Sequence, residues 1–450
     1  MFDKILIANR GEIAVRVIRT CQRMGIHTIA VYSEADADAA HVRLADEAHL
    51  IGPAPVGQSY LNMDRILEVA RDTGAQAVHP GYGLLSENAT FVEKIEQAGL
   101  VFIGPRSEVM DLMGDKAQAR AFAEAAGVPV VPGSPGPVAD EDAAVEAAAK
   151  LGYPVLVKAA AGGGGIGMKV AENDKKLRKA VASCQRRAQS SFGDDTIYIE
   201  RYIQNPRHIE VQVIADTHGN AVHLFERECS VQRRHQKVIE EAPSPFVAKH
   251  EAINLRQRMT DAAIALVKST EYTNAGTLEF IVGEDANFYF IEMNTRLQVE
   301  HTVTEEISGV DLVEWQIRVA HGEALPKTQD ELKIDGHAIE CRIYAENPAK
   351  NFMPAPGHIG DYSEPTGPGV RVDSGIHADS EVTPYYDPML AKLITHGKDR
   401  DAAISRMRRA LAEYRIDALT TNLGMHIEIL DDADFVAGNF HTGWLETRGD

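Results

Sequence analysis

The segment VLVKAAAGGGGIGMKV, residues 155–170, contains glycines at 162, 164 and 167 with the spacing G-x-G-x-x-G. A dinucleotide-binding loop with this spacing opens a helix directly, and a Walker loop ends in Gly-Lys followed by Ser or Thr. Neither context is present, because Met168, Lys169 and Val170 follow the last glycine. Lys158 instead precedes the glycines at the end of an apolar run. We therefore predict a strand, a glycine loop and a second strand, which together form a hairpin flap.

The composition is that of an ordinary globular chain. A length of 450 residues suggests about three domains. The net charge of -20 argues against non-specific binding to nucleic acid, which requires a basic surface. No apolar run is long enough for a membrane span, and the start MFDKILIANRGE lacks the features of a signal peptide. We expect a cytoplasmic protein whose four cysteines, without C-x-x-C spacing, are buried and reduced.

Strand and helix patterns alternate over the first hundred residues. Apolar residues 5–8 predict a strand, helical spacing then runs to Gly25, and residues 27–33 predict the next strand. Asn62 is placed to cap a second helix that ends near Gly74. This alternation predicts an open parallel sheet covered by helices, which we assign to a domain of residues 1–113.

The rest of the chain predicts an α+β arrangement. A helix over about 107–126 is followed by the loop VPVVPGSPGPVADE, and residues 131–203 form a compact piece with the glycine hairpin. From residue 209 the pattern is mainly β, interrupted by a helix over about 252–269. We predict a central domain of residues 114–335 with a mobile lid at about 131–203, and a mixed β domain of residues 336–450.

Alternating polar residues mark the segment FYFIEMNTRLQVE, residues 288–300. If the extended conformation persists, Glu292, Asn294, Arg296, Gln298 and Glu300 share one face, and the opposite row is mostly apolar. Mixed charges on a solvated strand are the simpler explanation. Carboxylate and amide oxygens near a phosphate loop, with Glu279 on the preceding strand, instead favour Mg²⁺ held against nucleotide phosphates.

A basic run interrupts the acidic chain at CSVQRRHQK, residues 229–237. It contains Arg233, Arg234, His235 and Lys237, and such a run is usually a solvated loop. Lys116 and Lys158 are also expected at loop or strand ends, which favours an anion site. Lone histidines such as His208 and His235 are more often structural residues than metal ligands.

Eight ordered blocks carry a resemblance to a known family. They are IANRGEIA, HPGYGLLSEN, MGDK, GGGG-x-GM, NPRHIEVQV, RECSVQRRHQK, EMNTRLQVEH and ECRIYAENP. Over essentially its whole length the chain resembles the biotin carboxylase component of biotin-dependent carboxylases such as acetyl-CoA or acyl-CoA carboxylase. The resemblance implies an ATP-grasp central domain and a ligase that makes N-carboxybiotin from ATP, bicarbonate and carrier-bound biotin through carboxyphosphate, in pathways such as fatty acid metabolism.

The resemblance also implies a role for each matching residue. Glu300, Arg342, Lys237 and Arg296 would be catalytic, and Glu279, Glu292 and Asn294 would bind Mg²⁺ or Mn²⁺. The positions implied to bind ATP, bicarbonate or biotin are Lys116, Lys158, Gly163, Gly164, Gly165, Glu200, Ile203, His208, Gln232, His235, Gln298, Val299 and Tyr82. Glu300 would deprotonate bicarbonate, and Arg342 would stabilise the biotin anion.

Partners follow from the same resemblance. We expect a homodimer that works with a biotin carrier protein or domain and with a carboxyltransferase, and no nucleic acid or membrane. The A-M-K-M motif of a biotin carrier is absent from the sequence. Ile166, Thr302 and Tyr344 depart from the family pattern. Two alternatives stay open: an ATP-grasp ligase that activates another carboxylate, and a regulatory nucleotide-binding protein without turnover. For Arg342 the structural alternative is an ion pair with Glu340 or Glu346.

Overall fold

The structure is a computed structural model that describes residues 1–159, 168–193 and 195–448. Its contacts divide the chain into two compact units. The first comprises Met1–Val128, Arg207–Phe280 and Glu292–Asp450, and the second comprises Pro129–Pro206 and Ile281–Ile291. The predicted boundaries at residues 113 and 335 fall within the first unit and stay a prediction. The predicted lid, residues 131–203, belongs to the second unit.

The helices of the described residues are α1 (Gly11–Arg23), α2 (Ala40–Leu44), α3 (Met63–Thr73), α4 (Ala89–Gln97), α5 (Ser107–Gly114), α6 (Lys116–Ala125), α7 (Glu141–Leu151), α8 (Asp174–Phe192), α9 (Pro245–Lys249), α10 (Leu255–Ser269), α11 (His301–Ser308), α12 (Leu312–Ala320), α13 (Arg400–Glu413), α14 (Leu423–Asp431), α15 (Ala433–Ala437) and α16 (Trp444–Thr447).

The strands are β1 (Lys4–Ile7), β2 (His27–Ser33), β3 (Glu47–Gly52), β4 (Ala77–His79), β5 (Val101–Phe102), β6 (Val155–Ala159), β7 (Met168–Ala171), β8 (Ile197–Arg201), β9 (Arg207–Ala215), β10 (Ala221–Arg233), β11 (Gln236–Ala242), β12 (Asn274–Val282), β13 (Phe288–Asn294), β14 (His337–Tyr344), β15 (Glu346–Asn347), β16 (Met353–Pro354), β17 (Gly357–His358), β18 (Tyr362–Ser363), β19 (Val370–Ser374), β20 (Glu381–Val382), β21 (Met389–Gly397) and β22 (Arg415–Ile416).

A five-stranded parallel sheet forms at the amino terminus, in the order β3-β2-β1-β4-β5. Its strands are apolar on both faces because helices cover both sides, as expected for a parallel sheet. The predicted cap is confirmed, since the Asn62 side chain accepts a hydrogen bond from the backbone N–H of Arg65 at 3.1 Å, and α3 ends at Gly74 with a φ of +71°.

The largest sheet has eight strands, in the order β13-β12-β9-β10-β11-β14-β21-β19. Its described pairings, from β9–β10 through β21–β19, are antiparallel. Helices α11 and α13 pack against it, and a core including Ile339, Leu393 and Met407 is fully buried. The predicted fold class, an open parallel sheet followed by an ATP-grasp part and a mixed β part, is confirmed, and the strands of the last part pair antiparallel.

The second unit contains a three-stranded sheet in the order β7-β6-β8. Strand β6 pairs antiparallel with β7, with Val155 opposite Ala171 and Lys158 opposite Met168. Both strands of the predicted hairpin are therefore confirmed. The glycine loop itself, including Gly163, Gly164 and Gly165, lies outside the described residues, as does Ile166.

One sequence prediction about local structure is wrong. The single helix expected over residues 107–126 is two helices, α5 and α6. Between them the Asp115 carboxylate accepts hydrogen bonds from the backbone N–H groups of Ala117 and Gln118, so it caps a new helix. Strand β13 ends at Asn294, so the extended conformation that would place residues 292–300 on one face does not persist, and residues 295–300 lead into α11.

The basic run RRHQK is a hairpin turn rather than an open loop. Arg234 and His235 have φ values of +49° and +66° between β10 and β11, so Lys237 lies on a strand. All four cysteines are buried and free, as expected. Among the described residues, no helix is both long and apolar enough to span a membrane.

Candidate active site

A partly buried lysine, Lys237, lies on β11 of the eight-stranded sheet with its side chain 13% exposed. The Lys237 ammonium donates to the carboxylates of Glu300 at 2.5 Å, Glu210 at 2.9 Å and Glu279 at 3.2 Å. Burial opposes the charged form, but the three carboxylates outweigh burial and raise the pKa of Lys237 well above its ordinary value. The ammonium therefore stays charged, and the three carboxylates compensate its charge in the absence of a bound anion.

A second cation supports the same carboxylates. The His208 ring nitrogen Nε2 lies 3.2 Å from Glu279 Oε2. Burial alone would lower the pKa of His208, but Glu279 and Glu210 raise it to about 9. Conversely, burial raises the pKa of Glu279, but Lys237 and His208 lower it to about 2. Both groups are thus charged at neutral pH.

The polar row of the sequence meets at the end of β13, although the strand does not continue. The side-chain oxygen Oδ1 of Asn294 accepts from Arg296 Nη2 at 2.6 Å and from Gln298 Nε2 at 3.3 Å. Gln298 also donates to Glu279 at 2.8 Å, which links the turn to β12. The alternating residues therefore come together through side-chain hydrogen bonds rather than through strand geometry.

Side-chain oxygen atoms that could bind a metal lie on the edge strand β13 and on its neighbour β12. Glu279 lies on β12, and Glu292 and Asn294 lie on the neighbouring β13, where Asn294 Nδ2 is 3.4 Å from Glu292 Oε1. Carboxylate and amide oxygens are the donors that Mg²⁺ and Mn²⁺ prefer. This donor set fits the predicted metal. Lys116 pairs with Glu292 at 3.0 Å, so a cation already compensates part of the charge there.

A fully buried arginine, Arg227, holds several side chains of the site through hydrogen bonds. Arg227 donates through Nε to Glu210 at 3.0 Å and through Nη2 to the Gln298 side-chain oxygen at 2.5 Å. It also donates to the side chains of Gln212, Thr277 and Thr304. The planar guanidinium thus fixes the position of Gln298 from a site without access to solvent.

Arg342 contacts two buried carboxylates. Its Nε donates to Glu240 at 2.5 Å and its Nη2 donates to Glu300 at 2.9 Å. Burial opposes its charge, but Glu240 and Glu300 help to raise the pKa of Arg342 well above its ordinary value. The alternative partners Glu340 and Glu346 are wrong: Glu340 accepts from the Thr302 hydroxyl, and Glu346 pairs with Arg233.

The remaining predicted residues occupy different parts of the chain. In the second unit, Lys158 donates to Glu200 at 2.9 Å, and Ile203 lines a cleft of about 220 Å³ with Tyr202, Gly283 and others. In the first unit, Gln232 donates to the Cys229 carbonyl, and His235 is exposed in the hairpin turn. Val299 belongs to the turn before Glu300, and Tyr82 is half-buried near Lys392.

Sequence reasoning missed several residues that contact the site. They are Glu87, which binds Arg296, together with Glu210, Arg227, Glu240 and Lys392. One of them had a readable signal: His208 and Glu210 alternate on β9, so both point to the same face. Arg227, in contrast, stands between Glu226 and Glu228 on β10, and this pattern gives no hint of its partners.

Family models match nearly the whole chain. Residues 1–110 match the biotin carboxylase N-terminal domain, residues 115–328 match the carbamoyl-phosphate synthase L chain ATP binding domain, and residues 340–447 match the biotin carboxylase C-terminal domain. The chain is 55% identical to a biotin carboxylase of Halalkalibacterium halodurans, over 99% of this chain and 97% of that protein. It is 54% identical to biotin carboxylase 2 of Bacillus subtilis, over 99% of each chain.

A solved structure has the same fold. It is the biotin carboxylase domain dimer of the Hydrogenobacter thermophilus 2-oxoglutarate carboxylase in complex with MgADP, ADP and bicarbonate. The TM-score is 0.91 at 46% identity, with 100% of this chain and 98% of that chain covered. With the buried cations and carboxylates described above, these matches show that the chain belongs to the biotin carboxylase family, whose members are ATP-grasp ligases.

Proposed function

We propose that this chain uses ATP to carboxylate biotin with bicarbonate, through the residues gathered around Lys237 and Arg342. One observation carries this assignment. The Glu300 carboxylate is shared between Lys237, at 2.5 Å, and Arg342, at 2.9 Å. A base for bicarbonate is thus in direct contact with a cation suited to hold bicarbonate and with a cation suited to stabilise the biotin anion.

The first step forms carboxyphosphate. Lys237, Arg296, Gln298 and the Val299 backbone would hold bicarbonate, and Glu300 would take its proton while a bicarbonate oxygen attacks the γ-phosphorus of ATP and ADP leaves. Lys237 is always charged, so it neutralises the growing negative charge without accepting the proton itself. Glu300 is therefore the group that takes the proton.

The positions assigned to ATP are distributed along the chain. Four of them are Lys116, Lys158, Glu200 and Ile203. His208, Gln232 and His235, together with Gly163, Gly164 and Gly165, complete the proposed ATP contacts. Glu279, Glu292 and Asn294 would hold Mg²⁺ or Mn²⁺, and the bound metal neutralises phosphate charge.

The second step transfers carbon dioxide to biotin. Carboxyphosphate breaks down to carbon dioxide and phosphate, and the phosphate takes the proton of the biotin ureido nitrogen, which then attacks carbon dioxide. Arg342 would stabilise the oxyanion of the deprotonated ureido group, with Tyr82 beside the ring. To do so Arg342 must exchange part of its contact with Glu240 or Glu300 for the substrate oxygen.

Partners are proposed on the pattern of the relatives. The matched structures include the biotin carboxylase subunit of pyruvate carboxylase and the biotin carboxylase domain dimer described above. We propose that this chain forms a homodimer and acts on a biotin carrier beside a carboxyltransferase that selects the final acceptor. A cytoplasmic location is supported by four buried free thiols.

ADP release measured in the presence of Mg²⁺ tests the proposed function. We expect release to require bicarbonate and to accelerate with free biotin. Equal rates in bicarbonate-free buffer would contradict it. Stimulation by another carboxylate instead would favour the alternative ligase, and the absence of any turnover would favour a regulatory protein.

A further inference from the structure

A second buried lysine, Lys392, lies on β21 directly opposite Arg342 in the sheet register. Its side chain is fully buried, with no exposed surface. A lysine in such a place requires charged and hydrogen-bonding partners, because an unpaired buried ammonium is strongly unfavourable. The partners of Lys392 therefore indicate why a charged residue, rather than an apolar one, occupies this position.

The hydrogen bond of Lys392 is to the main chain of the bicarbonate segment. Its ammonium donates to the Val299 carbonyl oxygen at 2.9 Å. That carbonyl belongs to the peptide that joins Val299 to Glu300. The orientation of this peptide sets the direction in which the Glu300 side chain leaves the backbone, at the residue that precedes α11.

The nearest carboxyl group comes from a motif that the proposed function does not otherwise use. Glu12, in the IANRGEIA block, lies 3.3 Å from the Lys392 ammonium and is itself buried. Asp373 is farther away, at 3.9 Å, and is already bound by both arms of Arg371. Glu12 is thus the nearest carboxylate to Lys392 in the described part of the chain.

Lys392 also lies near the proposed biotin contact. Its ammonium is 5.9 Å from the ring centroid of Tyr82, at the limit of a cation–π contact. One buried cation therefore contacts the segment assigned to bicarbonate and lies beside the residue assigned to biotin.

We propose that Lys392, held by Glu12, is a positioning residue that orients the Val299–Glu300 peptide for bicarbonate activation. This inference rests on the proposed function. It assigns a role to the Glu12 motif and to β21, which are distant in sequence from the catalytic turn. The ammonium touches no reacting atom, so its effect passes through the position of Glu300.

The test compares two charge-balanced double variants. Lys392→Met with Glu12→Gln removes the proposed positioning pair without leaving an unpaired charge. Arg400→Met with Glu241→Gln removes another buried pair, joined at 2.6 Å, which contacts none of the assigned catalytic residues. Circular dichroism and thermal melts establish that each protein is folded, and bicarbonate and ATP are then varied separately in an ADP-release assay.

We expect kcat/KM for bicarbonate to fall about 10- to 100-fold in the Lys392 pair, because misplacement of a reacting group by about 1 Å has effects of this size. KM for ATP should stay within about twofold of the wild-type value, as expected when the nucleotide contacts are intact. In the double variant Arg400→Met, Glu241→Gln, both kcat/KM for bicarbonate and KM for ATP should be unchanged. Lys392→Arg keeps the charge but moves the donor atoms, and it should show the same loss specific to bicarbonate.

Three outcomes would overturn the inference: an unchanged kcat/KM for bicarbonate in the Lys392 pair, an equal loss in both pairs, or a parallel loss of ATP affinity. If the double variant Lys392→Met, Glu12→Gln does not fold, the same comparison of kcat/KM for bicarbonate with KM for ATP is made with Lys392→Arg. Failure of the proposed function would be seen separately, as a wild-type protein whose ADP release ignores bicarbonate.

Discussion

Replacement of Arg342 by glutamine separates the two halves of the proposed reaction. Arg342 binds Glu240 and Glu300, and neither carboxylate has access to solvent. Burial raises the pKa of Glu240 to about 8 even though Arg342 opposes this shift. Without the guanidinium, Glu240 should therefore be protonated over the whole neutral range.

The single variant should lose both stability and carboxylation. Removal of Arg342 leaves the neutral Glu240 carboxyl group buried without its hydrogen-bond donor, which costs about 1–3 kcal/mol, so a lower melting temperature is expected. Loss of one donor to a developing oxyanion slows a reaction about 100- to 1,000-fold, and carboxybiotin formation should fall by that factor. Nucleotide affinity should be preserved, because Arg342 contacts none of the residues assigned to ATP.

A charge-balanced variant separates these two effects. The double variant Arg342→Gln, Glu240→Gln replaces both partners by neutral amides, so it leaves no carboxyl group of this pair without its partner. It should regain most of the stability that the single variant loses. The control is Arg256→Gln with Glu226→Gln, which removes an ion pair between a partly buried arginine and a buried glutamate, bonded at 2.8 Å, away from the assigned residues. Carboxybiotin is measured with labelled bicarbonate, and ATP affinity by calorimetry. Near-normal carboxylation by the folded Arg342 pair, or a large loss of ATP affinity, would refute the role given to Arg342.

Three further predictions concern the base, the buried support and the response to acid. Glu300→Gln should lower bicarbonate-dependent ADP release about 100- to 10,000-fold, since general bases contribute rate factors of this size, and a rate near wild type would exclude Glu300 as the base. Arg227→Lys should raise KM for bicarbonate about tenfold, because an unpaired buried acceptor such as Gln298 costs about 1–3 kcal/mol; an unchanged KM would show that Gln298 needs no support. Burial raises the pKa of Glu241, but Arg400 and His337 lower it to about 2, below the ordinary 4.5. The stability that this ionised carboxylate contributes is therefore complete above pH 4.5 and is lost as the pH falls toward 2. Glu241→Gln should flatten the dependence of the unfolding free energy on pH between these values. An unchanged slope would contradict the lowered pKa of Glu241.

The elements that the sequence predicts best are those with local signals. The strand over residues 27–33 has the predicted limits, and the helix after Asn62 begins and ends at the predicted cap and glycine. The helix break at Asp115 escapes prediction because helical periodicity continues across it, and only the side-chain cap marks the new start. Local patterns therefore find elements more reliably than they find interruptions.

Local sequence patterns also fail to predict contacts in the site between residues that are far apart in the chain. Alternation identifies the polar row 292–300, yet the chain leaves the strand at Asn294 and other contacts gather the residues. Neighbours in sequence suggest the wrong partners for Arg342, whereas Glu240 reaches it from the adjacent strand and Glu300 from the turn before α11. Such contacts depend on sheet register, which a single sequence does not encode in any local pattern.

Oxygen transfer from bicarbonate to phosphate tests the proposed carboxyphosphate chemistry most directly. Bicarbonate labelled with ¹⁸O is supplied with Mg²⁺, ATP and biotin in unlabelled water, and the released phosphate is analysed by mass spectrometry before the label exchanges with the solvent. If a bicarbonate oxygen attacks the γ-phosphorus and carboxyphosphate then decomposes, each phosphate acquires one ¹⁸O atom. Phosphate without ¹⁸O, formed at the full rate of biotin carboxylation, would contradict this mechanism.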